Sequence, residues 1–203
     1  MFNFSRFPTL STQRLLLREI TPADAKSIFA LRSDFQVTRF NNAHPYTVLQ
    51  QAYDLIVAFR EDFKDKKTIR WGITIKDDNA VVGVIGYNYW NKADSRASVG
   101  YDLAKAYWGN GYITEAMRMV VAFGFHQMML NRIEAECGDF NPASMRVLEK
   151  LNFDVEGRQR ERFFQAGQPH DLILYGLLRS KYLARDNAIN RSPAQLPDNW
   201  SIT

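Results

Sequence analysis

Residues 101–116 read YDLAKAYWGNGYITEA and join a predicted strand to a predicted helix through a turn with two glycines. Before the turn, residues 96–103 alternate between apolar and small or polar side chains, which predicts a strand. After it, residues 114–129 place apolar side chains at helical spacing. Gly109 and Gly111 allow backbone N–H groups to turn toward a phosphate, and a helix start favours negative charge. The stretch therefore predicts an anion site, with a plain strand-to-helix turn as the alternative.

This turn matches neither of two familiar phosphate-binding motifs. Thr114 takes the place of the third glycine in the dinucleotide-binding pattern G-x-G-x-x-G. The P-loop is excluded because no Gly-Lys-Ser/Thr follows the glycines. The turn favours a pyrophosphate held by backbone amides without a metal. His44, His126 and His170 also lack the spacing of zinc ligands, so we expect no metal site.

A second stretch, residues 131–153 (NRIEAECGDFNPASMRVLEKLNF), predicts another strand followed by another helix. Asn141 and Pro142 are typical of a helix N-cap and of the first helical position. Ser144 then falls in the first turn of the helix, with its hydroxyl toward the strand ends. Helix capping alone is the alternative explanation for these residues.

The whole chain predicts the element order β-α-α-β-β-β-α-β-α-β-β. This order favours the α/β (α+β) class, with a single mixed, mostly antiparallel twisted sheet of about seven strands flanked by about four helices. The remaining strands are expected at residues 14–20, 68–76, 80–90, 132–137, 153–163 and 171–179, and the remaining helices near residues 22–35, 47–63 and 142–152. We expect one domain at residues 1–183 and a loosely ordered tail at residues 184–203, where periodicity disappears.

Capping signals locate the first two helices. Thr21 is predicted as an N-cap, and the apolar residues Ile28, Leu31 and Phe35 follow at helical spacing. Residues 47–50 (TVLQ) resemble a capping box that opens the second helix.

Composition excludes several classes of protein. The 203 residues are 46% hydrophobic and 24% charged, as in ordinary globular domains. No apolar run approaches the ~20 residues of a membrane span, and the first residues lack the pattern of a signal peptide. Cys137, the single cysteine, is expected in the core of a cytoplasmic protein. The net charge of +4 suits an anionic ligand or a ribosomal partner, although a solvated basic surface is the simpler explanation.

Together these stretches resemble the GNAT superfamily of acetyl-CoA-dependent N-acetyltransferases, and within it the branch of ribosomal-protein alanine N-acetyltransferases. The resemblance is carried by residues 12–24 (TQRLLLREITPAD), 101–116, 131–153 and, more weakly, 156–178 (EGRQRERFFQAGQPHDLILYGLL). It implies the GNAT fold, acetyl-CoA as co-substrate and a primary amine as acceptor. A protein N-terminal α-amine is the favoured acceptor. A small amine, such as an antibiotic, polyamine or amino-acid derivative, and a CoA-binding module without turnover are the alternatives.

The resemblance also assigns contacts to the coenzyme. The residues it implies for binding acetyl-CoA are Asp102, Leu103, Trp108, Gly109, Asn110, Gly111, Tyr112, Ile113, Thr114, Asn141 and Ser144. Ser144 would lie near the coenzyme sulfur, where it can protonate the leaving thiolate. Three positions depart from the family pattern: Ile113 is larger than usual, Asn152 replaces a glycine, and Ser98 replaces the glutamate that many relatives have.

The acceptor side is less well defined. The loop residues that the resemblance places there are Phe40, Asn41, His44 and Tyr46. An α-amine has a pKa of about 8, so a useful fraction is neutral near physiological pH and asks little of a base. A water beside Glu134 or Glu136 is the predicted base, with solvent exposure or ion pairing as the alternative for both glutamates. We expect a monomer or homodimer without direct contact to nucleic acid or membrane.

Overall fold

The computed structural model describes residues 5–41, 43–76, 78–165 and 167–190. Within these ranges lie eight strands: β1 (Leu10–Ser11), β2 (Leu15–Arg18), β3 (Arg70–Ile75), β4 (Val81–Asn91), β5 (Arg96–Leu103), β6 (Arg132–Gly138), β7 (Asp154–Gln165) and β8 (Gln168–Leu178). The same ranges contain six α-helices: α1 (Ala25–Ser33), α2 (Phe35–Thr38), α3 (Gln50–Lys64), α4 (Tyr112–His126), α5 (Pro142–Lys150) and α6 (Arg179–Asn190).

The eight strands described form one sheet in the order β1-β2-β3-β4-β5-β6-β8-β7. β5 and β6 are parallel, and the other neighbouring pairs are antiparallel. The predicted mixed, mostly antiparallel sheet is therefore confirmed. The additional strand is β1, a two-residue edge segment that is too short to leave a periodic pattern in the sequence.

Helices cover both faces of this sheet. On one face, α4 and α5 pack over the larger core, which includes the fully buried Trp71. On the other face, α1 and α3 cover a smaller cluster around Ile28 and Ile56. β4 contributes to both, because successive side chains of a strand point to opposite faces: Val84 joins the smaller cluster and Ile85 the larger.

The helix after the glycine turn follows its sequence pattern. Its predicted apolar stripe, Met117, Val120, Val121 and Phe125, is buried, with at most 3% of any of these residues exposed. α4 ends at His126, a few residues earlier than predicted. Burying each such side chain contributes ~1.5–3 kcal/mol, so this stripe is enough to hold α4, and with it the turn, against the sheet.

The first predicted helix does not continue to Phe35. α1 ends at Ser33, and Phe35 begins the separate one-turn helix α2 with 54% of its surface exposed. Asp34 interrupts the helix because its backbone is extended, and its carboxylate accepts a hydrogen bond from the Gln36 N–H at 2.8 Å. A capping aspartate therefore outweighs the apolar spacing at this point.

The two predicted helix starts fare differently. Thr21 and Asp24 form the expected cap: the Thr21 N–H and hydroxyl donate to the Asp24 carboxylate at 2.8 and 3.1 Å. The capping box predicted at residues 47–50 is wrong, because it names the wrong acceptor for the Thr47 N–H. Gln51, rather than Gln50, accepts from the Thr47 N–H, at 2.8 Å.

The last described helix, α6, runs from Arg179 to Asn190. The predicted domain limit at residue 183 falls inside it. Residues 191–203 of the predicted tail lie outside the described residues. Across the part of the chain that the structure describes, no helix is both long and apolar enough to cross a membrane.

Candidate active site

The sheet opens between its two parallel strands. β5 and β6 pair only where Arg96–Ser98 lies beside Arg132–Glu134. Beyond these pairs, β5 stays bonded to β4 and β6 to β8 on their outer sides. Residues 99–103 and 135–138 thus border a cleft with a cavity of about 400 Å³. No strand among the described residues fills this gap, so main-chain groups on its edges can pair with an extended ligand.

The glycine turn at one end of the cleft presents backbone donors to it. Gly109 and Gly111 have φ values of 78° and 77°, in the left-handed region that favours glycine. α4 begins at Tyr112, and the Glu115 N–H donates to the Gly111 carbonyl oxygen at 3.1 Å. The N–H groups of residues 112–114 precede that bond and have no acceptor within the helix. Together with the positive helix end, they form a site for a phosphate group.

Hydrogen bonds hold this turn in place. The Trp108 indole N–H donates to the Leu103 carbonyl oxygen at 2.7 Å, which ties the end of β5 to the turn. The Asn110 amide donates to the carbonyl oxygens of Tyr107 and Trp108 at 3.2 Å each. Arg14 donates to the Asn110 carbonyl oxygen at 3.1 Å. Asn110 therefore braces the turn, and it is not among the residues that line the cleft.

The start of α5 borders the cleft on another side. Asn141 caps this helix, because its side-chain oxygen accepts from the Ser144 backbone N–H at 3.1 Å. The Ser144 hydroxyl lies 2.8 Å from the Tyr101 hydroxyl, and both residues line the cleft. Sequence reasoning missed Tyr101 as a site residue. The alternation of β5, which puts Tyr101 on the same face as Val99 and Leu103, was the signal that could have found it.

Two side chains that contact Ser144, Tyr101 and Cys137, are neutral near neutral pH. Burial raises the pKa of the Tyr101 phenol, and its hydrogen bond with Ser144 offsets this only in part. Cys137 is 4% exposed, as expected for a core residue, yet it also lines the cleft. Burial raises the pKa of its thiol, although contacts with Ser144 and Met145 act in the opposite direction. Ser144 therefore has a neutral hydroxyl and a neutral thiol as direct neighbours.

The Asp102 carboxylate is directed to α1 and to the loop after α2. It lies 2.7 Å from the Arg32 guanidinium and accepts a short hydrogen bond from the Asn41 amide. The Arg32 and Asp102 side chains are only 15% and 9% exposed, so this is a largely buried ion pair. Asp102 thus joins α1 and the loop after α2 to the end of β5. Sequence reasoning missed Arg32, because its partner is distant in the chain.

Two of the four residues predicted for the acceptor side line the cleft, namely Phe40 and Asn41. The Phe40 ring stacks on Phe140, with ring centroids 6.1 Å apart and ring planes within 9° of parallel. His44 is exposed, and Tyr46 packs against the cluster under α1 and α3. The structure does not bring His44 or Tyr46 to the cleft wall.

The two candidate bases have different surroundings. Glu134 accepts from Arg132 at 2.9 Å and from Arg96 at 3.2 Å, and the Tyr89 hydroxyl also donates to it. Partial burial alone would raise the pKa of Glu134, but these partners outweigh it and leave the pKa below its ordinary value. Glu136 is exposed and lines the cleft, and it has no hydrogen-bond or ion-pair partner among the described residues.

Positive charge reaches the cleft from α5. Arg146 and Lys150 line it, and their spacing of four residues places them on one face of the helix. Sequence reasoning missed both as site residues. Within the described ranges, no group of three or more His, Cys, Asp or Glu side chains could hold a metal ion. Among the described residues that border the cleft, these two cations and the backbone donors of the turn can neutralise an anionic ligand.

Fold and cleft together define a class of protein. An opened pair of parallel strands suits an extended ligand that pairs with backbone groups. The glycine turn suits a pyrophosphate, and Ser144 lies where a reactive group can meet a hydroxyl. A coenzyme A thioester has this form, with a pyrophosphate, an amide-containing arm and a terminal sulfur. The arrangement is that of a coenzyme A-dependent acyltransferase.

Comparison with known proteins identifies the family. Residues 14–154 match the model of the acetyltransferase (GNAT) domain. The chain belongs to the GNAT acetyltransferase family, and acetyl-CoA is its co-substrate.

The names of similar proteins refer to different acceptors. The N-acetyltransferase YoaA of Bacillus subtilis is 37% identical over 175 residues, which cover 86% of this chain and 99% of YoaA. YdaF of the same organism, provisionally named a ribosomal N-acetyltransferase, is 26% identical over 84% of this chain and 94% of its own length. The Vibrio cholerae spermidine N-acetyltransferase, solved with CoA and spermine, has a TM-score of 0.76 at 22% identity, and the match covers 85% of this chain and 99% of that one. This last likeness concerns the fold alone.

Proposed function

We propose that this acetyltransferase transfers the acetyl group of acetyl-CoA to the N-terminal α-amine of a protein. The observation that carries the proposal is the opening between β5 and β6, which leaves a cleft between residues 99–103 and 135–138. In the proposal the coenzyme lies in this cleft, with its pyrophosphate at the glycine turn and its thioester near Ser144. The acceptor amine approaches from the side of Phe40 and Asn41.

The charges at the cleft favour an acceptor with a single cationic group. Two acidic residues line the cleft, and Asp102 is already paired with Arg32. Glu136 is the other, and it has no such partner among the described residues. A polyamine carries several positive charges and would be matched better by several unpaired carboxylates. An α-amine needs only one.

The same residues can assist the transfer. The neutral amine attacks the thioester carbon, a C–N bond forms and the C–S bond breaks. In the proposal Glu136, through a water, takes the proton that the nitrogen loses, and the Ser144 hydroxyl donates a hydrogen bond to the leaving sulfur. Glu134 is less suited to the role of base, because its ion pairs lower its pKa. An α-amine, with a pKa of about 8, needs less help than a lysine with a pKa of about 10.4.

The comparisons do not decide the acceptor, since the similar proteins include both a ribosomal and a spermidine N-acetyltransferase. YdaF, whose name couples it to ribosomal N-acetylation, is 26% identical to this chain. The spermidine enzyme is 22% identical and supports the fold only. The net charge of +4 is compatible with a partner in the neighbourhood of the ribosome. We therefore infer a ribosomal or other cytoplasmic protein as acceptor.

A panel of acceptors tests the proposal. The purified chain is supplied with acetyl-CoA and with peptides that begin with a free alanine or serine, and thiol release is followed over time. The matched control is a peptide of the same sequence, with the same internal lysine, whose N-terminus is formylated. Spermidine is a third acceptor. We expect turnover with the free α-amine alone, and mass spectrometry should locate the acetyl group on the terminal nitrogen.

Each other result contradicts part of the proposal. Faster turnover with spermidine or with another small amine would mean that the acceptor is a small molecule rather than a protein. Coenzyme binding without thiol release on any acceptor would make the chain a binding module. For the base, Glu136→Gln should lower kcat by at least ~100-fold, the lower range of general-base effects. Glu134→Gln is its matched control and should retain most of the activity.

A further inference from the structure

Tyr101 has a place in the cleft that the proposed chemistry above does not use. It lies on β5, close to the point where the strand ends at Leu103, and it lines the cleft. Its hydroxyl is 2.8 Å from the Ser144 hydroxyl, which makes the pair a direct hydrogen bond. Because Ser144 lies in the first turn of α5 and Tyr101 belongs to β5, this bond joins the two walls of the cleft.

The direction of this bond follows from the chemistry of the two groups. A phenol is a stronger acid than an aliphatic alcohol and is therefore the better donor. If Tyr101 donates, the Ser144 oxygen accepts, and the single hydrogen of Ser144 stays available for another acceptor. The competing acceptor near Ser144 is the Cys137 sulfur, which is a weak one. The Ser144 hydrogen is thus left to a stronger acceptor in the cleft.

We propose that Tyr101 is a positioning residue, whose hydrogen bond to the Ser144 oxygen directs the Ser144 hydrogen toward the sulfur of the coenzyme. The inference rests on the proposed transferase function and names a part of that site that no family pattern assigned. It does not depend on which amine is the acceptor, because the leaving sulfur is the same for all of them.

Tyr101 does not give its own proton to the sulfur, which leaves as a thiolate that accepts a hydrogen bond from Ser144. Burial raises the pKa of its phenol above the ordinary value, whereas a thiol has a pKa of about 8.5. Transfer of the phenol proton to the thiolate would therefore be uphill, and Tyr101 keeps its proton throughout. Its effect on the reaction is the orientation of Ser144, which a neutral donor provides at any pH near neutrality.

The test is a set of single and double variants. Tyr101→Phe removes the hydroxyl and retains the ring, so the packing of the cleft wall is preserved. Turnover is measured with the best acceptor from the panel, and coenzyme affinity by calorimetry. We expect kcat to fall about 10-fold, because the hydrogen bond that orients Ser144 is lost. The Kd for acetyl-CoA should stay within about twofold of wild type.

Comparison with Ser144 separates orientation from general damage. If Tyr101 acts through Ser144, then Tyr101→Phe should cause no further loss of kcat in a Ser144→Ala background. Tyr175→Phe is the matched control, because the Tyr175 hydroxyl is buried and has no hydrogen-bond partner in the described chain. Tyr175 does not line the cleft, and its variant should turn over at the wild-type rate.

Three results would overturn the inference. Tyr101→Phe could retain wild-type kcat, could lose activity equally with and without Ser144, or could lose coenzyme affinity in proportion to kcat. Each of these leaves the transferase function intact. If the wild-type chain binds acetyl-CoA but acetylates no amine, the proposed function is wrong, and the proposed role of Tyr101 is wrong with it.

Discussion

At the scale of single residues, Gly109 gives the most direct test of the phosphate site. Its φ of 78° would strain any residue with a Cβ, by ~1–2 kcal/mol. A Cβ built there meets no atom within 4 Å, so the free protein has room for it. In the complex that space would be taken by the pyrophosphate. We expect Gly109→Ala to raise the Kd for acetyl-CoA at least ~10-fold in calorimetry, since ~1.4 kcal/mol is lost for each factor of ten.

Gly167 is the matched control for that substitution. Its φ is 76° and a Cβ there also meets nothing within 4 Å, but it lies in the turn between β7 and β8. Gly167→Ala should reduce the free energy of unfolding in urea as much as Gly109→Ala, by ~1 kcal/mol. Its Kd for acetyl-CoA should be unchanged. Equal Kd values for acetyl-CoA in the two variants would mean that the pyrophosphate does not bind at the glycine turn.

Cys137 reports on the same cleft through its reactivity. It is the single cysteine of the chain, so alkylation measures one site. Burial raises the pKa of its thiol, and the reactive thiolate is therefore scarce at neutral pH. We expect iodoacetamide to react at least ~10-fold more slowly with the native chain at pH 7 than with the urea-unfolded chain. The rate should rise with pH, and saturating acetyl-CoA should lower it further, whereas a rate indifferent to the coenzyme would place the ligand elsewhere.

At the scale of elements, the start of α1 depends on Asp24. Its carboxylate accepts two hydrogen bonds from Arg18 of β2, at 2.9 and 2.7 Å, and it also accepts from Thr21. Desolvation would raise the pKa of Asp24, but Arg18 and Thr21 outweigh it and lower the pKa below the ordinary value. This bidentate, largely buried pair thus joins a helix on one face of the sheet to the strand beneath it.

The sign of the pH dependence follows from that lowered pKa. The contribution of Asp24 to stability is present above the ordinary carboxyl pKa of about 3.9 and is lost as pH falls through the lower folded value. Asp24→Asn should therefore reduce the free energy of unfolding by ~2 kcal/mol at pH 7, and the difference from wild type should shrink as the pH is lowered below about 4. Urea unfolding at several pH values measures both. A difference that stays constant down to low pH would mean that packing, rather than charge, links α1 to β2.

At the scale of the whole molecule, the sequence predicted features formed by neighbouring residues better than contacts between residues distant in the chain. The stripe of α4, the cap at Asn141 and the glycine turn depend on residues within a few positions of each other, and all three were readable from the sequence. The pairs Tyr101–Ser144 and Arg32–Asp102 depend on which strands and helices the topology brings together, which periodicity does not encode. The same holds for the point at which β5 and β6 part.

That parting has a consequence for the stability of the molecule as a whole. β5 and β6 share only three residue pairs, so the parts of the sheet on either side of the cleft have few main-chain bonds to each other there. A coenzyme that contacts both strands can bind only the folded chain and should stabilise it. At a concentration of 100 times Kd the gain is ~2.7 kcal/mol, which corresponds to a rise in Tm of about 5–11 °C for a domain of this size.

Scanning calorimetry at increasing acetyl-CoA measures that rise, and hydrogen exchange locates it. The Tm should increase with the logarithm of the ligand concentration. Backbone N–H groups of residues 99–103 and 135–138 should exchange more slowly in the complex, because they border the cleft. Gly109→Ala, with its weaker binding, should need proportionally more coenzyme for the same Tm. Protection confined to other parts of the chain would contradict the location of the coenzyme between β5 and β6, even if the Tm rises.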